Sequence, residues 1–312
     1  MWRLFGFRSA TLTAALLPGV LLALFAAPNL TLAQGDAHHL SISKALPDDP
    51  LAMQIFGNGQ ADLVSNALSA LPDGYRLRLL REEVPVGSEP VVSVASVRGA
   101  MAWYRTTLSP HDTFVYYSHG HGTPAGLLLG PRQVYGWPVL ASDILDLPAR
   151  NVVVMVMSCH SGALADTLRG DRFLSRWANR RAEGRNFVVL TSVNAGQLSG
   201  ATRIDGVLEN PFTHAVRTAF EGGADGFVAA AGAAGEPDGR IALQELVDYI
   251  PAVTREKSRR DGNPDATFDP QLAASYDPSY VITPLSADGP GSRPAVVKRL
   301  YVPVGLAGGA RG

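Results

Sequence analysis

Seven consecutive residues, Asn151-Val152-Val153-Val154-Met155-Val156-Met157, carry no charge and one polar side chain. Successive side chains of a strand point to opposite faces of a sheet, so such a run suits a strand covered on both sides. Asp112–Tyr117 and Asn186–Leu190 read the same way, Tyr75–Leu80 alternates, and Leu51–Phe56 is expected as the first strand, ended by Gly57-Asn58-Gly59. Between them lie patterns of helical period. Ala61–Leu71 repeats Leu63, Ala67, Leu68 and Leu71, and Val94–Leu108 repeats Val97, Met101, Tyr104 and Leu108. Phe212–Glu221 and Leu243–Lys257 are later helices. Apolar strands alternating with helices predict an α/β protein with a mostly parallel central sheet, covered on both faces. No internal repeat or linker divides it.

Composition excludes several classes. Of 312 residues 46% are hydrophobic, which sets aside intrinsic disorder as the main state. Formal net charge is −1 with no basic run, so nothing offers a phosphate-neutralising surface and no nucleic-acid partner is expected. A single cysteine, Cys159, excludes an internal disulfide framework and a zinc site built of cysteines alone.

The N-terminus reads as an export signal. Arg3 and Arg8 precede an uncharged stretch from Ser9 to Gln34, its apolar run spans Leu12–Ala27, and Thr31 and Ala33 suit cleavage before Gln34. An uncleaved anchor is the rival, because the run is near the lower length limit for a span; only then would the protein meet a membrane. No cysteine follows the run, which excludes a lipoprotein. The expected organisation is a signal peptide over 1–33, a domain over 34–285 and a tail over 286–312 that begins with the Gly/Pro-rich Asp288–Pro294. The mature protein is expected in the periplasm or secreted.

Ligands of a parallel sheet collect at the carboxyl ends of its strands. One strand runs into Ser118-His119-Gly120-His121-Gly122-Thr123, another into Ser158-Cys159-His160-Ser161-Gly162. A thiol and an imidazole converging there make a nucleophile and its acid/base partner. Glycine directly after the histidine lets a main-chain N–H approach a developing oxyanion.

Tyr117–Thr123 resembles the histidine motif of the caspase-like cysteine peptidases, and Ser158–Gly162 resembles their cysteine motif, closest to the metacaspase form. Gly57–Leu71, with Gln60-Ala61-Asp62, is similar to the opening strand-helix step of legumain-like members; Pro211-Phe212-Thr213 and Asp238-Gly239-Arg240-Ile241 are similar to the entries of their later helices. The likeness spans roughly residues 48 to 275. It implies a three-layer α/β/α sandwich and thiol-dependent endopeptidase activity on a protein or peptide substrate, without cofactor or metal. It implies Cys159 as nucleophile, His121 as its partner in preference to His119, and the N–H groups of Gly122 and Cys159 as the oxyanion site. His160 is expected as a loop residue.

Two departures bear on specificity. The acid that often stands two residues before the cysteine is replaced by Met157, and the legumain Arg-His pair by Asn58-Gly59. Both remove charge from the first substrate pocket, so a demand for Arg, Lys or Asp is not expected. Asn194 and Gln197, in the loop Ser192–Ser199, are expected to touch substrate; the plain alternative is that they are turn residues. Three other functions compete: a zinc-binding protein using His119, His121, Cys159 and His160, a non-catalytic caspase-like scaffold, and a transpeptidase with the same dyad. The zinc reading lacks nearby acids beyond Asp112 and Asp166. Ala234–Glu245 has calcium-loop spacing, but Ala234 stands where the first carboxylate belongs, so a turn into a helix is expected.

Overall fold

The computed structural model describes residues 35–44, 58–71, 76–81, 92–130, 132–228, 233–234, 236–259 and 267–284. The chain divides into units 1–34 and 35–312, and the described residues all belong to the second. Among them, no helix is long and apolar enough to cross a membrane.

The strands of the main sheet are β1 (Ala37–Lys44), β2 (Arg76–Arg81), β3 (Thr113–Gly120), β4 (Asn151–Met157), β5 (Asn186–Thr191) and β6 (Gln271–Ser275). Their order is β6-β5-β4-β3-β1-β2, with every pair parallel except β6 against β5. The helices are α1 (Asn58–Ser69), α2 (Val94–Thr107), α3 (Trp137–Leu145), α4 (Gly162–Arg169), α5 (Asp171–Ala182), α6 (Pro211–Thr218) and α7 (Leu243–Ser258). Residues 219–223 add a π-helical turn to α6.

Strand β4 explains the three layers. Val152, Val154 and Val156 point into one core with residues of α2–α5, while Val153, Met155 and Met157 enter a second with residues of α1, α6 and α7. The six apolar residues Val152–Met157 therefore serve two cores, which is why none of them could be polar.

Three features differ from expectation. The segment Leu51–Phe56 lies outside the described residues, and β1 forms upstream of it, one strand in from the edge of the sheet. Its sequence, AHHLSISK, hides the strand because its buried residues include His38, His39, Ser41, Ser43 and Lys44. His39 shows how one is accommodated: Nδ1 donates to the Val115 carbonyl at 3.1 Å, Ser65 Oγ meets Nε2 at 3.4 Å, and burial pushes the pKa down to about 4. Second, β3 runs three residues beyond Tyr117, so His119 lies inside the strand. Third, α3–α5 follow patterns too short or too polar to stand out; buried Arg180 of α5 ties that layer down by donating to the carbonyls of Leu145, Leu147 and Ala149.

Candidate active site

Strands β3 and β4 pair in register from Thr113 with Asn151 to His119 with Met157, so both chemically notable turns leave the sheet side by side. The separation of the two histidines follows from strand geometry. His119 is fully enclosed near Tyr117, with ring centroids 6.4 Å apart. Burial, with His121 adding repulsion, pushes its pKa down to about 3, so it stays neutral where the protein would work. His121 stands just past the strand and is half-buried.

The histidine turn is held by main chain. His121 carbonyl accepts from Leu128 N–H at 3.0 Å, and residues 122–123 pair antiparallel with 126–127. The Trp137 indole donates to the Thr123 carbonyl at 3.2 Å. Gly122 is required for packing: a Cβ there would run into the Cys159 carbonyl oxygen and the Ser158 side chain. The two turns therefore abut, main chain on main chain.

The cysteine turn is held by hydroxyls. Ser192 Oγ accepts from Ser158 N–H at 3.3 Å, donates to the Ser158 carbonyl at 3.2 Å, and lies 3.2 Å from Ser161 Oγ. His160 adopts a left-handed φ of 57°, donates its N–H to the Gln197 carbonyl at 2.8 Å, and places Nδ1 2.9 Å from the Ala195 carbonyl. A carbonyl only accepts, so Nδ1 carries the proton. A Cβ on Gly162 would meet Asn194 and Ala195 main-chain atoms at 2.6 Å, which brings the 194–199 loop directly onto the cysteine turn.

Half-buried Cys159 is in contact with that loop. Its thiol donates to the Ser199 carbonyl at 3.5 Å and accepts from Ser199 N–H at 3.3 Å. Buried Asn210 donates through Nδ2 to Ser199 Oγ at 3.1 Å and to the Gly200 carbonyl at 2.6 Å. Sequence reasoning missed both residues. Asn210 had a readable signal, since Asn before Pro211 is a helix N-cap with proline at N1, and its Oδ1 does accept from Phe212 and Thr213. Ser199 had none.

The residues expected to touch substrate are placed as follows. Asn58 opens α1. Met157 is fully buried, its sulfur 3.5 Å from Ser199 Oγ. Asn194 donates to Asp269 at 3.3 Å and accepts from Gly196 N–H at 2.9 Å. Gln197 donates to the Thr267 carbonyl at 3.0 Å and accepts from Asp269 N–H at 3.0 Å. Both amides thus tie the loop to residues 267–269.

Among the described residues, no three His, Cys, Asp or Glu side chains are grouped to hold a metal ion. The calcium-like spacing resolves into a turn: Asp225 accepts from Asp238 and Gly239 N–H at 2.8 and 3.0 Å, and Glu245 from Gly226 and Ala242 N–H at 2.7 and 2.6 Å.

A mostly parallel sheet flanked by helices, with a His-Gly and a Cys turn at adjacent strand ends, defines a caspase-like α/β fold. The crystal structure of caspase-1 from Spodoptera frugiperda is similar, with a TM-score of 0.50 over 77% of this chain and 86% of that one at 13% identity. At that identity the likeness is one of fold. No family model matches the sequence, and no curated protein does.

Proposed function

We propose that the chain is a cysteine endopeptidase in which Cys159 attacks the carbonyl carbon of a substrate peptide bond and His121 manages the protons. His121 takes the thiol proton as the S–C bond forms. The carbonyl oxygen becomes an oxyanion between the N–H groups of Gly122 and Cys159. The C–N bond breaks, His121 returns the proton to the leaving amine, and a thioester remains. Water, deprotonated by His121, then hydrolyses the thioester and restores the thiol.

The observation that carries this reading is the abutment of Gly122 on Cys159, which joins the histidine and cysteine turns at adjacent strand ends. With Met157 in place of an acid, and that side chain buried in the core, no carboxylate at this position demands Arg or Lys of the substrate. The resemblance of the cysteine turn to that of metacaspases and of Gln60-Ala61-Asp62 to the legumain step supports the same reading. The 1–33 segment directs it out of the cytoplasm, where Asn194 and Gln197 help present the substrate-facing loop.

The test is covalent capture. A peptidyl fluoromethyl ketone incubated with the mature protein should give one adduct, mapped by mass spectrometry to Cys159 and lost in His121→Ala. Stoichiometric zinc that shields Cys159 from alkylation, with no adduct, would reject the peptidase in favour of a metal-binding protein.

A further inference from the structure

We propose that Asn210 is a positioning residue that, backed by Gln60, holds the Ser199 main chain on the Cys159 thiol. For its effect on turnover this rests on the peptidase reading above; its effect on the thiol does not.

The two ends of the Asn210 carboxamide perform separate tasks. Oδ1 caps α6 by accepting from Phe212 N–H at 2.9 Å and Thr213 N–H at 3.4 Å. Nδ2 points the other way, to Ser199 Oγ and the Gly200 carbonyl, at 3.1 and 2.6 Å. Ser199 in turn offers its N–H and carbonyl to Sγ, at 3.3 and 3.5 Å. A single buried amide therefore links a helix terminus to the nucleophile through one residue.

Gln60 fixes that amide from behind. Its Oε1 accepts from Asn210 N–H at 3.3 Å and its Nε2 donates to the Leu208 carbonyl at 3.2 Å, spanning 150 and 148 residues of sequence. Nearly enclosed and doubly bonded, Gln60 locks the chain on either side of Glu209. Leu198, beside Ser199, is 69% exposed, so nothing on its own side chain would hold the segment down. The polar chain Gln60–Asn210–Ser199 supplies what packing does not.

The N–H of Ser199 matters most when sulfur becomes anionic, because a hydrogen bond to a charged acceptor is the stronger kind. The same contact occupies one side of the half-buried thiol, so a small reagent reaches sulfur faster when the segment moves away.

Asn210→Asp separates the tasks. It keeps an oxygen to cap α6 but replaces the donor with an acceptor facing the Gly200 carbonyl. The melting temperature should fall by roughly a few degrees, and in the folded variant iodoacetamide alkylation of Cys159 should rise roughly tenfold, the effect of losing one to two net hydrogen bonds. Peptide turnover should lose more in KM than in kcat, since the loop and not the dyad is displaced. Ser199→Ala, which removes one of the two Nδ2 acceptors without touching the helix, should raise alkylation by about threefold. An alkylation rate equal to wild type in folded Asn210→Asp overturns the proposal; if that variant does not fold, an unchanged rate in Ser199→Ala does so. Faster alkylation in a protein that the fluoromethyl ketone never labels would sustain the clamp and reject the peptidase.

Discussion

The two strand ends that meet at the site are secured by different chemistry. After β3, the histidine turn is held by a main-chain ladder to residues 126–128. After β4, the cysteine turn is held by the hydroxyls of Ser158, Ser161 and Ser192 and by contacts to the 195–199 loop. A main-chain ladder is indifferent to most side chains, whereas a hydroxyl network fails one residue at a time. The position of Cys159 is thus the more sensitive of the two to substitution, and that of His121 the more robust.

Four experiments test that contrast. The largest effect is on turnover. Cys159→Ala and His121→Ala should each lower kcat/KM by roughly a thousandfold or more with little change in melting temperature. His119→Ala should do the reverse, costing about 2 kcal/mol of stability while folded protein keeps its activity. Equal loss of turnover on replacing either histidine would erase the distinction between them.

Gly122→Ala comes next. Its methyl would drive the turns apart, so kcat/KM should fall by about ten- to a hundredfold through misplacement alone. Full activity in that variant would mean that the two ends do not need to touch.

Acid should weaken the fold through the buried imidazoles. The folded pKa values of His39 and His119 lie at about 4 and about 3, below the ordinary 6.5. Above 6.5 both states hold these rings neutral, and stability is at its full value. As pH falls below 6.5 the unfolded chain takes up protons that the folded chain refuses, and stability declines until each folded value is passed. Urea midpoints should therefore drop between pH 7 and pH 4.5, and less steeply in His119→Leu. Parallel slopes in the two proteins would show that His119 contributes nothing to the decline.

The smallest effect compares the two supports directly. Ser192→Ala should cost about 1–2 kcal/mol, because it strips a buried hydroxyl bonded to Ser158. Thr123→Ala, whose hydroxyl turns a half-buried loop beside an intact ladder, should cost about half as much. A larger penalty at Thr123 would invert the proposed order of sensitivity.

What the sequence revealed followed one physical rule. β4 and β5 were legible because both faces of each are buried and the residues had to be apolar. β1 is also interior but is hidden by its buried polar residues, of which His39 finds its partner, the Val115 carbonyl, only after β3 has paired with the strand. Cys159 and His121 were legible because each closes or follows an apolar run. Asn194 and Gln197 were visible as polar loop residues, but no spacing could show that their amides reach 70 and more residues ahead to Thr267 and Asp269. Ser199 acts on the thiol through its main chain, which its residue type does not report.

The position of β1 also bears on how the molecule is assembled. β1, the first of the described strands, is hydrogen-bonded on both sides, to β2 and to β3, and the partner of Ala37 is Thr113. Its ladder cannot close until some seventy further residues have emerged, and pairing at such separations is slow. An N-terminal tag or trimming that reaches Ala37 would consequently disturb an interior strand, whose loss leaves raw edges on both β2 and β3.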